Sequence, residues 1–368
     1  MAFLHFDNVG IAALACAVPE FTQCVNEDPG LEHAAYVRSF VKKIGIRQRQ
    51  VSLTEQTTTD LGHAAVERAL AIAGWEANSL DALIYLSQMP DFNPGTGNAF
   101  VMHKRLGLPA ACMAFDITLG CSSFPYGLAV CASLLQQAHI NRVAMISGDN
   151  VWSCVPYKEV LLEESVFLFG EGTTALLLEN RDKSPIDLSL LSDGSGYEYL
   201  FNPSAGSRNN WRKGKTLRLS NGQQITVPPS RGNQYMDGPE ITAFSTTTVV
   251  DAIKEFLERT GRPISSYDGL VLHQANRQIV RTIAKRVGAD EAQVPLSLDR
   301  YANTSGASVP LTIADAYGDR SEGMLSLLTC AYGIGLSWGI ASFDIDASVI
   351  QPIFRTDRRF DEGYITRD

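Results

Sequence analysis

The sequence predicts a layered α/β fold, because short apolar runs alternate with helix-like stretches along most of the chain. Both halves of the chain show this alternation in a similar order, which predicts a duplicated topology although no repeat of residues is visible. The length of 368 residues leaves room for two such halves. Alternation of this kind also predicts parallel strand pairing within the sheets.

The first half begins with an apolar run, Val9 to Ala17, which predicts a strand that Pro19 closes. Helical periodicity from Thr59 to Ala73, with the acidic Asp60 near its start and Gly74 after it, predicts the first helix. The same patterns predict further strands at Ala82–Ser87, Ala114–Thr118 and Arg142–Ser147 and further helices at Asn98–Leu106 and Ser122–Ala138.

The second half repeats the rhythm. Its predicted strands are Thr174–Glu179, Gly269–His273, Met324–Cys330 and Ser337–Asp344, and its predicted helices are Thr246–Thr260, Arg277–Val287 and Ala307–Tyr317. We expect an N-terminal half at residues 1–180 and a C-terminal half at 181–346. Residues 202–233 are polar, basic and rich in Gly, Ser and Asn, which predicts an insertion. Residues 347–368 predict a polar tail that either wraps the surface or is mobile.

Composition excludes several classes of protein. The net charge of −9 and the pI near 5.2 argue against a nucleic-acid-binding protein. The apolar run Ile11 to Val18 is too short to span a bilayer, and no signal peptide is expected, since the N-terminus lacks a basic flank and a cleavage site. Seven cysteines show neither a pairing rhythm nor zinc-like spacing, which indicates reduced thiols, a cytoplasmic protein and no metal site.

Cys121 is the first candidate for chemistry. A predicted strand ends shortly before it, Gly120 allows a sharp turn, and a predicted helix begins just after it. This placement points free N–H groups and the positive end of the helix at the sulfur, which favours a nucleophilic thiolate. The alternative is a buried structural cysteine, which is the common role of free cysteines.

Three further segments carry polar or glycine-rich patterns. His273 ends an apolar strand and is followed by Gln274 and Asn276, at a sheet edge where open α/β folds place their sites. Asn303 opens a small polar string before a helix, although plain N-capping would also explain it. The turn from Tyr332 to Gly339 contains glycines that allow close backbone approach and an aimed N–H.

Taken together, these segments resemble the ketoacyl-ACP synthase III family, the initiating condensing enzymes of the thiolase superfamily. The resemblance runs from about Val9 to Phe343. It rests on the strings His-Gln-Ala-Asn and Asn-Thr-Ser-x-Ala-Ser, together with Asp-x-x-x-x-Cys-Ser, Phe-Gly-x-Gly and Gly-x-Gly-x-x-Trp-Gly. The family's Cys, His and Asn fall on Cys121, His273 and Asn303.

The resemblance implies a thiolase-like five-layered α-β-α-β-α fold of two duplicated halves, a homodimer, and no cofactor. It implies that an acyl-CoA or acyl-ACP donor acylates Cys121, and that a malonyl-ACP-type acceptor then loses carbon dioxide and attacks the acyl group. His273 and Asn303 would donate to the thioester oxygen of the acceptor. The backbone N–H groups of Cys121 and Ile334 would hold the oxyanion, although the family usually has glycine at the Ile334 position.

Basic residues beside the active-site segments suggest where substrate or carrier protein binds. Arg277, Arg281 and Lys285 are spaced four apart and follow Asn276, which predicts a basic stripe that docks an acidic acyl carrier protein. A solvated charged face is the alternative. The same two interpretations apply to the basic residues of the insertion, Arg208, Arg212, Lys213, Lys215 and Arg218.

Two departures from the family bear on the acyl donor. The acidic-Trp segment that stacks the CoA adenine is replaced by residues 33–38, and the stretch carrying a phosphate-facing Arg is replaced by residues 160–164, which include Glu163 and Glu164. These changes favour a carrier-bound or longer acyl donor over acetyl-CoA, and a role in secondary metabolism or the cell envelope.

Three other functions remain as alternatives. An acyltransferase on the same scaffold would form an ester or an amide without decarboxylation. A papain-like cysteine hydrolase shares the order Cys, His, Asn, but Cys121 lies mid-chain and lacks a following Trp. A non-catalytic subunit would only bind acyl chains or carrier protein, and retention of all three polar residues argues against it.

Overall fold

Two mixed β-sheets form the centre of the computed structural model, which describes residues 2–25, 41–52, 55–92, 95–150, 168–203, 209, 216–226 and 235–363. The strands, numbered in chain order, are β1 Ala2–Phe6, β2 Val9–Pro19, β3 Thr22–Cys24, β4 Gln48–Gln50, β5 Ala82–Leu86, β6 Met113–Ile117, β7 Arg142–Asp149, β8 Gly172–Asn180, β9 Ile186–Ser192, β10 Leu200–Phe201, β11 Thr216–Arg218, β12 Gln224–Thr226, β13 Tyr235–Met236, β14 Gly269–Leu272, β15 Met324–Gly333, β16 Ser337–Asp346 and β17 Phe354–Thr356. The α-helices are Thr58–Ala73, Asn98–Arg105, Ser123–Leu134, Gly238–Thr246, Thr248–Thr260, Arg277–Val287, Leu298–Tyr301 and Ser308–Tyr317.

The two large sheets repeat one arrangement of four strands. The first sheet has the order β17-β2-β8-β7-β5-β6 and the second has the order β1-β9-β16-β15-β14. In the first, β2 and β8 are antiparallel, β8 and β7 are antiparallel, and β7 and β5 are parallel. The pairs β9/β16, β16/β15 and β15/β14 have the same directions in the same order. The duplicated topology expected from the sequence is therefore confirmed.

Helices form three layers around these sheets. The helices Ser123–Leu134 and Ser308–Tyr317 each contact strands of both sheets and so lie between them. Helix Thr58–Ala73 covers the outer face of the first sheet, and helix Thr248–Thr260, with Arg277–Val287 beside it, covers the outer face of the second. The result is the five-layered α-β-α-β-α thiolase-like fold that the resemblance implied.

Three buried apolar clusters hold the layers together, because each interface between a sheet and a helix layer excludes water. Alternation along β5 shows how one strand serves two of them. Ile84 and Leu86 belong to the cluster between the sheets, whereas Leu83 and Tyr85 belong to the outer cluster under helix Thr58–Ala73. A strand that is apolar on both faces is what a sheet covered on both sides requires.

The sheets depart from the sequence analysis in two respects. They are mixed, whereas the alternation of elements predicted parallel pairing, because β8 and β16 return antiparallel to their neighbours. The predicted helix Thr246–Thr260 begins at Thr248, and a second helix, Gly238–Thr246, which the sequence analysis did not predict, directly precedes it. At the junction, both the backbone N–H and the side-chain hydroxyl of Thr247 donate to the carbonyl of Ala243.

Two short strands cross the predicted division between the halves, which stays a prediction. β1, near the N-terminus, pairs with β9 in the second sheet, and β17, in the predicted tail, pairs with β2 in the first. The tail is therefore anchored as far as residue 363. Gln56 donates to two tail carbonyls, and the Arg105 guanidinium lies 4.1 Å from the ring centroid of Phe360.

Of the predicted insertion at 202–233, the structure describes residues 202–203, 209 and 216–226. β11 and β12 form an antiparallel hairpin there, and Leu219 in its loop is buried. Of the five basic residues singled out in this segment, Arg218 lies in β11 and the other four lie outside the described residues.

Candidate active site

Cys121 lies in the turn that connects β6 to the central helix Ser123–Leu134. The Ser123 N–H donates to the Gly120 carbonyl at 2.8 Å and closes this turn. A Cβ atom on Gly120 would lie 2.5 Å from the side-chain amide nitrogen of Gln88, so a larger residue here would displace the end of that side chain. The sequence thus places the thiol at the start of a buried helix, as its pattern predicted.

The protonation state of Cys121 differs from the sequence-based expectation. The residue is 8% exposed, and burial raises the pKa of its thiol to about 12, although hydrogen bonds from Ser305 and Asn303 lower it in part. Desolvation of the sulfur therefore outweighs the favourable helix end. The expected resting thiolate is wrong for the free protein, in which Cys121 is a neutral thiol at physiological pH.

The end of β15 runs against Cys121. A Cβ atom on Gly333 would lie 2.6 Å from the Cβ atom of Cys121, so this position requires glycine. Ile334 follows directly, and its carbonyl accepts a hydrogen bond from the Ser337 hydroxyl at 2.6 Å. The backbone segment that the sequence analysis assigned to the oxyanion thus passes beside the nucleophile.

His273 follows the last residue of β14 and is 2% exposed. Its Nδ1 atom lies 2.6 Å from the Ser308 hydroxyl, and its backbone N–H donates to the Cys330 carbonyl at 2.8 Å. Burial lowers the pKa of His273 to about 3, so the ring is neutral at physiological pH. A neutral ring carries one proton, and the partner at Nδ1 decides which nitrogen holds it.

Asn303 is held by backbone hydrogen bonds on both sides. Its N–H donates to the Leu168 carbonyl at 2.9 Å, and its carbonyl accepts from Gly170 at 3.1 Å. The side-chain Oδ1 accepts from the Ser305 N–H at 2.8 Å. Because the oxygen of the carboxamide is engaged, the Nδ2 group is the end left to donate toward a ligand.

Tyr332 lies near two of these residues. Its ring packs edge-on against His273, with 5.4 Å between the centroids, and its hydroxyl, whose pKa burial raises, also interacts with Cys121. The Asn303 side chain also perturbs the Cys121 thiol. The buried thiol of Cys121 and the neutral side chains of His273 and Asn303 therefore lie near the N-terminal ends of the two central helices.

The basic residues predicted for binding lie at a surface groove. Lys42, Lys43, Arg277, Gln278 and Arg281 line a cavity of about 640 Å³. Arg277 donates to the Lys42 carbonyl at 2.8 Å, and Arg281 pairs with Glu291. Lys285 is exposed farther along the same helix. Four cationic side chains line this groove and give it a positive potential.

Asn276 has a structural partner that the sequence analysis did not assign. Its Oδ1 accepts from the Ile279 N–H at 2.8 Å and caps helix Arg277–Val287. The segments that bear on the acyl donor, residues 33–38 and 160–164, lie outside the described residues.

Sequence reasoning missed three polar residues of the site. Ser308 faces His273, Ser305 lies 3.9 Å from the Cys121 sulfur through its Oγ atom, and the buried Asp149 perturbs the same thiol. Ser305 and Ser308 stand in the quoted Asn-Thr-Ser-x-Ala-Ser string, where their side chains could have been considered as ligands of the neighbouring groups. Asp149 had no such signal, since it ends an ordinary apolar strand.

No helix in the described ranges is long and apolar enough to cross a membrane. Family models for 3-oxoacyl-[acyl-carrier-protein] synthase III match residues 115–194 and, for the C-terminal part of that family, residues 257–345. These two ranges contain Cys121, His273 and Asn303.

Comparison with known proteins extends the match over most of the chain. Beta-ketoacyl-[acyl-carrier-protein] synthase III from Caldanaerobacter subterraneus is 32% identical over 303 residues, 80% of this chain and 86% of the relative. The enzyme of the same name from Prochlorococcus marinus is 31% identical and covers 90% of this chain and 95% of its own. The crystal structure of a 3-oxoacyl-(acyl-carrier protein) synthase from Burkholderia xenovorans superposes with a TM-score of 0.86 at 30% identity, over 96% of this chain and 99% of that chain.

The fold and these matches remove the papain-like hydrolase from the alternatives, since the whole five-layered architecture is shared with condensing enzymes. A match of this identity over this length establishes descent. The chain belongs to the family of 3-oxoacyl-[acyl-carrier-protein] synthase III, which are condensing enzymes.

Proposed function

We propose that this protein is acylated on Cys121 and then joins the acyl group to a malonyl-type thioester with loss of carbon dioxide. The observation that carries this proposal is the orientation of two donors. The Oδ1 atom of Asn303 is engaged by the Ser305 N–H, and the Nδ1 atom of His273 is engaged by Ser308. With the ring proton of His273 on Nε2, each side chain keeps an N–H for a substrate oxygen.

In the first half-reaction, the sulfur of Cys121 attacks the carbonyl carbon of an acyl thioester and displaces its thiol. The tetrahedral intermediate places negative charge on the former carbonyl oxygen. The backbone N–H groups of Cys121 and Ile334 stabilise that oxygen, because Gly333 brings the two segments together. The Ile334 side chain changes the shape of the pocket and leaves the N–H in place.

In the second half-reaction, a malonyl-type thioester loses carbon dioxide and forms an enolate. The Nε2 of His273 and the Nδ2 of Asn303 donate to the thioester oxygen, where this charge develops. Donors of this kind are typically worth ~3 kcal/mol each. The enolate carbon then attacks the acyl carbonyl on Cys121, and the cysteine sulfur leaves.

The basic groove supports the choice of partners. Phosphopantetheine and CoA carry phosphate, and acyl carrier protein is acidic, so Lys42, Lys43, Arg277 and Arg281 suit either donor. The donor favoured by the sequence is carrier-bound or a longer acyl-CoA, and the acceptor is malonyl-ACP. A cytoplasmic homodimer remains part of this proposal.

The experiment that tests the proposal combines two measurements on one sample. Intact-mass analysis after incubation with a panel of acyl-CoA and acyl-carrier thioesters detects the acyl adduct, and carboxyl-labelled malonyl carrier protein then releases labelled carbon dioxide. We expect an adduct on the wild type and none on Cys121→Ala, followed by release of label. An adduct that persists on Cys121→Ala contradicts the nucleophile, and transfer to an alcohol or amine without labelled carbon dioxide supports the acyltransferase alternative.

A further inference from the structure

Asp149 is a buried carboxylic acid close to the nucleophile that the proposed reaction has not yet used. It ends β7 and is 1% exposed. Burial raises its pKa, and hydrogen bonds from hydroxyls and backbone N–H groups partly offset this effect. Its Oδ1 atom accepts from the Ser87 hydroxyl at 2.8 Å and from the Gln88 N–H at 2.9 Å. Burying an acid is costly, and acids with a raised pKa are typical of functional sites.

The second oxygen of this carboxyl group can accept a further hydrogen bond. The Oδ2 atom of Asp149 is buried and has no close hydrogen-bond partner among the described residues. An ionised carboxylate can accept at both oxygens, so one acceptor position is left open. This oxygen is thus able to take up a proton without breaking the bonds made by Ser87 and Gln88.

Ser305 interacts with both Cys121 and Asp149. Its Oγ atom is 3.9 Å from the Cys121 sulfur, and its hydroxyl lowers the pKa of both groups. The residue has a φ of +52°, which is uncommon for a residue other than glycine. Its backbone N–H is fixed on the Asn303 side chain at 2.8 Å, so the hydroxyl is held in place at this strained position.

The donors around Ser305 set the direction of its proton. The Gln88 amide nitrogen lies 3.5 Å from the Ser305 oxygen and can only donate. An ionised Asp149 can only accept, so the single hydroxyl proton of Ser305 points toward it. A lone pair of the Ser305 oxygen then remains for the thiol proton of Cys121. The three groups are ordered as thiol, hydroxyl and carboxylate.

We propose that Asp149 is the base that takes up the thiol proton of Cys121 during acylation, with the Ser305 hydroxyl passing the proton between them. This inference rests on the proposed acylation of Cys121. The relay supplies a base for the buried neutral thiol, which is a weak nucleophile until its proton is removed.

The relay balances over both half-reactions. As the Cys121 sulfur bonds to the acyl carbon, its proton moves to the Ser305 oxygen and the hydroxyl proton of Ser305 moves to Asp149. The displaced thiolate of the donor takes a proton from solvent. In the second half-reaction, the new carbon–carbon bond expels the Cys121 thiolate, and protonated Asp149 returns the proton through Ser305. One proton is consumed overall, as decarboxylative condensation requires.

The other titratable groups around Asp149 do not compete with this role. Tyr85, on the neighbouring strand, interacts with Asp149, but burial raises the pKa of its hydroxyl well above 10, and that hydroxyl donates to the Thr58 carbonyl at 2.8 Å. On β8, Asp149 pairs with Gly172, and the carboxylate of the adjacent Glu171 accepts from the Ser52 N–H at 2.7 Å. Cys121 also interacts with Asp149.

The test measures the rate of Cys121 modification against pH in wild type, Ser305→Ala and Asp149→Asn. Each protein is treated with an acyl thioester and, separately, with iodoacetamide, and the adduct is followed by intact mass. With the relay, the wild-type rate reaches a plateau once Asp149 is ionised. In a variant without the relay, the modification rate follows the fraction of free Cys121 thiolate and rises about tenfold per pH unit. At pH 7 the rate of such a variant is about 10²-fold or more below that of wild type.

Three comparisons decide the outcome. Ser123→Ala removes a nearby buried hydroxyl that pairs with Ser147, and it should keep the wild-type profile. Ser87→Ala removes a donor to the carboxylate and should move the wild-type midpoint to higher pH. Wild-type pH profiles in Ser305→Ala and Asp149→Asn overturn the relay. Should Asp149→Asn fail to fold, the pH profile of Ser305→Ala alone decides between the relay and the free thiolate.

The iodoacetamide arm separates this inference from the proposed function. If no thioester acylates Cys121 but alkylation shows the wild-type plateau and its loss in the variants, the relay stands and the choice of substrate is wrong. If acylation proceeds and all pH profiles coincide, the proposed function stands and the relay is wrong.

Discussion

The Nδ1 atom of His273 lies 2.6 Å from the hydroxyl oxygen of Ser308, and the Gln274 N–H approaches the same oxygen at 3.5 Å. The proposed decarboxylation needs the ring proton on Nε2, and in that tautomer Nδ1 accepts the proton of the Ser308 hydroxyl. We therefore predict that Ser308 selects the tautomer of His273.

Replacing Ser308 should therefore slow the second half-reaction selectively. In Ser308→Ala, the Nδ1–H form of His273 becomes accessible, and we expect release of carbon dioxide to fall about tenfold, the effect of ~1.4 kcal/mol. Acylation of Cys121 should stay near wild type. Ser308→Thr keeps the hydroxyl and should restore most of the decarboxylation rate. Equal decarboxylation rates in Ser308→Ala and wild type would falsify the assignment of the tautomer.

Removing either side-chain donor should slow the second half-reaction much more than the first. His273→Ala and Asn303→Ala should each lower decarboxylation by about 10²- to 10³-fold, because each loses a hydrogen bond to the developing enolate. Both variants should still form the acyl adduct on Cys121. Single-turnover adduct formation and labelled carbon dioxide release measure the two steps. A comparable loss in both steps contradicts this division.

Burial of His273 should make folding stability depend on pH. The folded protein keeps the ring neutral down to a pKa of about 3, whereas the unfolded chain binds a proton near 6.5. The contribution of His273 is therefore fully present above pH 6.5 and is lost as pH falls, by about 1.4 kcal/mol per pH unit at most. Denaturant unfolding of wild type and His273→Asn between pH 7 and 5 should show a shallower decline for the variant.

His63 provides the internal control for this measurement. Burial also lowers its pKa, but it is present in both proteins and cancels in the comparison. Parallel stability curves for wild type and His273→Asn would show that the ring is protonated in the folded protein.

Gly333→Ala should displace the nucleophile. The new methyl group would lie 2.6 Å from the Cβ atom of Cys121, so the backbone at one of the two positions must move. We expect a loss of about 1–3 kcal/mol in the free energy of unfolding and at least tenfold slower acylation. Gly238→Ala is the matched control, since nothing lies within 4 Å of its added methyl group. Wild-type acylation in Gly333→Ala would show that the two segments are not in contact.

Charge reversal in the basic groove should weaken binding of carrier-bound substrates. Arg277→Glu and Arg281→Glu should each raise KM by about two- to fivefold with little change in kcat, because exposed ion pairs contribute at most about 1 kcal/mol. Added salt should raise the wild-type KM in the same direction. Lys183→Glu, in the exposed turn between β8 and β9, is the control for net charge. An unchanged KM in both groove variants places docking elsewhere.

A carrier-bound or longer acyl donor carries its own prediction. We expect acyl-carrier or longer acyl-CoA thioesters to acylate Cys121 faster than acetyl-CoA, because the family resemblance aligns Glu163 and Glu164 with a segment expected to face the CoA phosphates. Initial rates of adduct formation at equal concentration compare the donors. Fastest acylation by acetyl-CoA would contradict this choice.

Motifs and hydrophobic periodicity predicted most of the helices and strands that form the core. Helix Arg277–Val287 was predicted to the residue, because its apolar positions recur at helical spacing. Strand directions could not be predicted in the same way. Antiparallel return of β8 depends on pairing with β2 and β7, and the apolar sequence of β8 suits either direction.

The candidate site shows the same limit. Cys121, His273 and Asn303 stand in recognisable strings, and their catalytic roles stay predictions. The partners that orient or perturb them come from elsewhere in the chain, such as Ser308 for His273 and Asp149 for Cys121. Contacts of this kind depend on how the two sheets and the central helices pack, so a single sequence does not reveal them. Desolvation of the thiol is likewise a property of the packed protein.

The C-terminal strand β17 has a consequence for handling the protein. It pairs with Ala17, Val18 and Pro19 at the end of β2, a buried apolar strand. Trimming or displacement of β17 would leave the backbone groups at that end of β2 unpaired and open to other chains. Preparations clipped before Phe354 should therefore form intermolecular sheets and aggregate, so a purification tag is safer at the N-terminus.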